Sequence, residues 1–183
     1  LTLPQNLQLT GPVEFLQAFD RVIMLRGDDL EPLVWEPRLD FNEGWGGFET
    51  ITQSDARNDE NTGTAPDAYG DGTRQIPGSN GGCVFANRVF LIAGRDEIVV
   101  SDILDYTRYS ATTNRWRINS GSDDNLTRIF PWNQTQLIAF KDQSIWILSE
   151  VYGSLGSVRA DILTNEFGCV APKSVVSVGN DVW

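Results

Sequence analysis

Carboxylates and arginines are the residues here with the chemistry to act on a substrate, because the chain has no histidine. That absence removes Ser-His-Asp triads, histidine proton shuttles and most zinc sites together. Adjacent carboxylates occur at Asp28-Asp29, Asp59-Glu60 and Asp123-Asp124. Glycoside hydrolysis needs two carboxyl groups held roughly 5–9 Å apart across a sugar. Neighbours on a strand point to opposite faces, so adjacency alone does not make such a pair. Asp59, Asp67 and Asp71 share one stretch, but their spacing matches neither an EF-hand loop nor a glycine-rich nonapeptide repeat. No phosphate-binding glycine loop, dinucleotide fingerprint or nucleophile elbow is present. No catalytic residue, cofactor or metal is therefore expected.

Arg108, Arg115 and Arg117 interleave with Tyr106, Tyr109 and Trp116. Such a pattern can stack single-stranded nucleic acid. The segment "RWRIN" at 115–119 has a simpler reading as an outer strand, with Trp116 and Ile118 on one face and Arg115 and Arg117 on the other. The two arginines are then candidates to pair with acidic groups across a subunit contact. The acids Asp55, Asp59, Asp67 and Asp71 are the matching contact candidates on the other side of the charge balance.

That balance is strongly acidic: 25 Asp and Glu against 14 Lys and Arg, a formal net charge of -11. A surface of this kind repels nucleic-acid phosphates, which disfavours DNA binding but suits a wall that DNA slides past. With 40% apolar residues over 183, the chain can bury the core of one domain. No apolar run approaches the ~20 residues of a membrane span. Leu1 is not followed by a basic-plus-apolar leader, so the start is expected to be processed or trimmed. Cys83 and Cys169 are few and distant, and read as small hydrophobes rather than a disulfide.

The elements that position these groups read as strands. Short apolar runs at 22–25, 89–93, 98–100, 137–140 and 145–148 are rich in β-branched and aromatic residues and bounded by Gly, Asp, Asn or Lys. Runs that are apolar throughout imply strands covered on both faces. Two hairpins follow from turn chemistry, with four-residue loops at Gly94–Glu97 and Lys141–Ser144. A third pairs "FDRVIML" at 19–25 with Leu33-Val34-Trp35. Pro12 to Phe19, after Thr10 as cap, is the one helix-like stretch. Residues 40–82 read as a long polar insertion, in which Trp45 and Tyr69 are the aromatic candidates for ligand contact.

The hairpins repeat. A shift of 46 carries Asn87 onto Asn133, Leu91-Ile92-Ala93 onto Leu137-Ile138-Ala139 and Asp96 onto Asp142; a further 47 reaches Asn180. Openings near 20, 87, 133 and 180 therefore mark units of ~40–50 residues, the spacing of β-propeller blades. A blade has two apolar faces and cannot cover either alone, so blades stack around an axis. The expected fold is all-β, a single propeller portion over 1–183 that is part of a larger, closed propeller of typically 4–8 blades; an irregular β-sandwich is the rival.

The stretch from Asn87 to Val151 also carries a family resemblance. "NRVFLIAGRDEIVVSDILDYTRY" and "NSGSDDNLTRIFPWNQTQLIAFKDQSIWILS" resemble tail proteins of bacteriophages. The matching residues are Asn87-Arg88, Ser101-Asp102, Asp105 to Tyr109, Ser122 to Arg128 and Phe140 to Leu148, within a stretch that is about a third of the chain. The resemblance implies a structural virion component with a propeller domain, of the tail-nozzle, tail-tube attachment or genome-retaining plug type in short-tailed phages. Its implied partners are copies of itself in a ring, hexameric in many nozzle-type members, together with other tail or connector proteins. DNA would pass through without sequence recognition, and the location would be the virion, assembled in the bacterial host cytoplasm. A glycan- or receptor-binding module at the tail tip and a propeller glycosidase are the alternatives. The insertion at 40–82 has no counterpart in the family pattern.

Overall fold

The computed structural model describes residues 9, 12–28, 30–35, 48–50, 76–109, 114–178 and 181–182, with only the backbone given at 48–50 and 178. Every regular element in these residues is a strand or a 3₁₀ turn. Strands β1 (Glu14–Ala18), β2 (Arg21–Leu25), β3 (Leu33–Trp35) and β4 (Phe48–Thr50) form one antiparallel four-stranded meander. A second contains β5 (Gly82–Phe85), β6 (Arg88–Ala93), β7 (Glu97–Val100) and β8 (Arg115–Arg117). A third contains β9 (Leu126–Pro131), β10 (Gln136–Lys141), β11 (Ile145–Ser149) and β12 (Arg159–Thr164). A two-stranded pair, β13 (Ser177–Val178) and β14 (Asp181–Val182), follows. Neighbouring strands in each meander are consecutive in the chain, and among the described residues no sheet closes on itself.

The all-β expectation is met, and all three hairpins are present. Phe140 pairs with Ile145 across the expected Lys141–Ser144 turn, of which Lys141 is the last residue of β10. The loop between β6 and β7 is one shorter than expected: Ala93 pairs with Glu97, leaving Gly94, Arg95 and Asp96 to turn the chain. Gly94 takes a positive φ of 64° there, which a Cβ would disfavour. The helix expected over Pro12 to Phe19 is instead strand β1, because Leu16 and Ala18 are buried while Phe15 and Gln17 are exposed. That period-two alternation belongs to a sheet with one face packed. The openings near 20, 87 and 133 are the turns that lead into the second strand of each sheet; the first strands lie just before them. Within 40–82, residues 48–50 form β4 and Gly82 begins β5; residues 51–75 lie outside the described residues.

The sheets stack face to face in chain order. In β6, Val89, Leu91 and Ala93 join Leu16, Ala18, Ile23, Leu25 and Val34 of the first sheet in one core. The alternate residues Phe90 and Ile92 join Ile129, Leu137, Ala139 and Leu148 of the third sheet in another. Every residue of β6 and β7 is buried, which is why these strands read as unbroken apolar runs. The far face of the third sheet, at Ile138 and Phe140, packs against Val175 and Val182 beside the two-stranded pair.

The layers are not parallel slabs. Sheets pack roughly 10 Å apart, so the first and third would be ~20 Å apart if they were. Yet Glu14 of β1 and Arg128 of β9 form an ion pair, both side chains less than one-fifth exposed. β5 lies between β1 and β9 and contacts both. Lys173, in the 3₁₀ turn Pro172–Ser174, donates to the carbonyl of Val13 at 3.2 Å. The first strands β1, β5 and β9 therefore lie close together.

Candidate functional site

Arg115 and Arg117 sit on β8, the outer strand of the second sheet, with the facial alternation that their spacing predicts. The register places Glu97 opposite Arg117 and Val99 opposite Arg115. Glu97 therefore shares a face with both arginines. Arg115 donates through Nε to Glu97 Oε1 at 2.7 Å and through Nη2 to Oε2 at 2.5 Å, a two-pronged fork. Arg117 Nε lies 3.5 Å from the same carboxylate and its side chain is 61% exposed. The acid that holds this pair is thus supplied by the chain itself, and Arg117 retains a surface for a neighbour. Asp55, Asp59, Asp67 and Asp71 lie outside the described residues, as do Trp45 and Tyr69.

The end of the stack formed by the turns after the second strands is a polar seam that recurs from sheet to sheet. Gly27 N donates to Ser79 O at 3.2 Å, Leu126 N to Arg95 O at 2.7 Å, and Cys169 N to Lys141 O at 2.7 Å. In each case the turn of one sheet is tied to the chain that leads to the next. At two of the three clasps a glycine allows the approach. A Cβ on Gly78 would lie closer than 3.0 Å to Asp28 O, and one on Gly168 equally close to Lys141 O. Asp124 is buried and accepts from Gln143 N at 2.7 Å and from Ser144 Oγ, whose oxygen in turn accepts from Trp146 Nε1 at 2.8 Å. Its neighbour Asp123 is exposed and pairs with Arg95. The adjacent carboxylates thus point to different partners and do not face a common space. Lys141 is fully buried and donates through Nζ to Ile118 O at 2.9 Å. Burial pulls its pKa down, and the carboxylates of Asp124 and Asp96 push it back up.

At the convergent edge, Cys83 of β5 is buried and burial pushes its thiol pKa up from 9.0 to about 12; the nearby Arg128 guanidinium opposes this. The thiol is therefore protonated and inert in the folded state. Cys169 is half-buried, and both cysteines are free. At pH 8 a disulfide thiol reagent is expected to titrate Cys169 in the native protein and to reach Cys83 only in denaturant; rapid reaction of both native thiols would contradict this burial. The folded state holds a proton that the unfolded thiol loses, so the Cys83 contribution to stability is complete below about pH 9. It is lost as pH rises from there toward 12.

A cleft of about 630 Å³ lies at the opposite end of the stack from the seam. Arg88 and Trp116 of the second sheet, with Asp102 from the segment after β7, line it together with Leu155 and Val158. Trp116 Nε1 donates to Leu155 O at 3.0 Å and fixes the spacing of the two walls. Among the described residues, no three His, Cys, Asp or Glu are grouped to hold a metal ion, and no helix is long and apolar enough to cross a membrane.

No protein-family model matches the chain, and no curated protein matches it at a significant level. The sequence marks β8 as a strand, but it does not mark the contacts that Glu97, Arg88, Glu14 and Arg128 make. Glu97 was hidden inside an expected loop, and pairing across strands leaves no trace in a single sequence. Arg88 lies within the family-like dipeptide Asn87-Arg88, which was its one visible signal.

Proposed function

We propose that the three meanders are successive blades of a β-propeller and that the chain is a structural component of a bacteriophage tail. In this reading it forms a ring with copies of itself, joins neighbouring tail or connector proteins, and lines or gates the path by which DNA leaves the virion. The observation that carries the blade reading is the middle sheet, buried on both faces by its neighbours and tied at its turns by the same clasp that recurs in the next sheet. The pair β13–β14 takes the position of a fourth blade, joined through the Lys141–Cys169 clasp.

The residues that carry the tail-protein resemblance act as scaffold. Asn87 forms the turn between β5 and β6 at a positive φ of 59°. Arg88 donates to Ser101 O, and Ser101 Oγ accepts from Val89 N, both at 2.9 Å. Asp102 accepts from Asn114 at 2.6 Å, and Asp105 from Thr107 N at 3.0 Å. Such residues favour a role in holding shape over one in turnover. The acidic balance suits a conduit that must not retain phosphates. In this reading the DNA path lies between copies in the ring and not through one chain.

Electron microscopy of the particle that carries this chain, with the chain located by a specific antibody, tests the reading. The expected result is a ring on the tail axis. A free secreted monomer, or a location away from any tail, would overturn it.

A further inference from the structure

Arg88 is one of three described residues with a buried polar side-chain atom that finds no partner, beside Tyr109 and Arg128, and of the three it is the one that lines a cleft. It is 8% exposed, yet among the described residues no carboxylate lies within ion-pairing distance of it. Its Nη1 donates to Ser101 O at 2.9 Å, and its Nε is buried without an acceptor. Asp102 is the nearest acid, but its oxygens are engaged: Oδ1 accepts from Asn114 Nδ2 at 2.6 Å and Oδ2 pairs with Arg108 Nε at 3.2 Å. Arg115, on the same wall, is neutralised by Glu97. Among the charged side chains lining the cleft, Arg88 is thus the cation without a counter-ion. A buried guanidinium of this kind is costly unless an anion meets it. Burial also lowers its pKa, and the field of Asp102 only partly opposes this.

We infer that the cleft between the second and third sheets is a binding site for a monocarboxylate carried on a small apolar body. The guanidinium fork matches a carboxylate in plane. Trp116, Leu155 and Val158 supply apolar wall for the rest of the molecule. The cleft volume falls in the range of small-molecule sites. A dianion such as phosphate would bring its second charge against Asp102, whereas one negative charge balances Arg88 alone. This inference stands apart from the tail reading and survives its failure.

The test titrates the full chain with 4-methylpentanoate, its neutral isostere 4-methylpentanamide and inorganic phosphate, followed by amide and indole NMR shifts. A ligand this small is expected to bind with a dissociation constant of about 1 mM. Saturable shifts should be confined to the cleft, including the Trp116 indole, with the amide and phosphate each at least about tenfold weaker. Arg88→Gln should abolish the carboxylate preference. If that variant does not fold, Gly156→Phe decides: Gly156 lines the cleft, and a Cβ there would meet only Ser154 Oγ, at 3.8 Å. It should abolish binding. Equal affinity for acid and amide, tighter binding of phosphate, unchanged binding in Gly156→Phe, or no saturable shift up to about 20 mM would each overturn the proposal.

Discussion

Phe90→Ala is expected to destabilise the fold by about 3–5 kcal/mol, the range for removing a fully buried aromatic ring. Phe90 has no exposed surface and lies in the core shared by the second and third sheets. Its ring meets Phe85 edge-on at 6.3 Å between centroids and stacks on Trp116 at 6.0 Å. Removal forfeits the transfer free energy of the ring and both aromatic contacts. It also leaves a void that neither sheet can close, because β6 is held on its other face by Val89, Leu91 and Ala93. Urea unfolding should show a lower midpoint with an unchanged slope. A loss below about 1 kcal/mol would place Phe90 at a surface and deny that the second sheet is enclosed.

Gly168→Ala is expected to cost about 3 kcal/mol, at the upper end for an overpacked site. The added methyl would fall closer than 3.0 Å to Lys141 O and to the Asp142 carbonyl, which are backbone atoms of a tight turn and cannot rotate away. Relief requires the crossing chain to lift, and that breaks the Cys169 N to Lys141 O bond at 2.7 Å. With the clasp lost, the segment leading to β13 is freed from the third sheet. Val175, 7% exposed and packed on Ile138 and Phe140, should become accessible to hydrogen exchange. Gly153→Ala is the matched control, because nothing lies within 4 Å of a Cβ there. Its effect should stay within about 1 kcal/mol of zero. Equal thermal shifts for the two variants would show that the close approach at Gly168 carries no weight.

Sequence patterning revealed the second and third strands of each sheet and little else, for a physical reason. β6, β7 and β10 lie between packed faces, so almost every side chain is apolar and the runs are unmistakable. The first strands stand at the convergent edge, where space is short. β5 begins with Gly82, whose Cβ would collide with Phe90 O, and β9 ends in Pro131, so neither looks like a strand former. β12 reads "RADILT", with five of its six residues exposed, and gave no core signal. β1 reads as helix-like in the sequence because five residues are too few to separate a period of two from one of 3.6. The arginines of β8 were legible from alternation alone. Their partner was not, since the pairing of Glu97 with Arg117 depends on a loop one residue shorter than turn chemistry suggested.

The convergence of the sheets is what separates a fan of blades from a layered sandwich, and one pair of residues reports it. Glu14 and Arg128 come from the first and third sheets and meet across the strand between them, with side chains 15% and 19% exposed. A double-mutant cycle with Glu14→Gln and Arg128→Gln, read by urea unfolding, measures whether they touch. The fan predicts a coupling of about 1–3 kcal/mol. Additivity within about 0.3 kcal/mol, as for residues two layers apart, would contradict it.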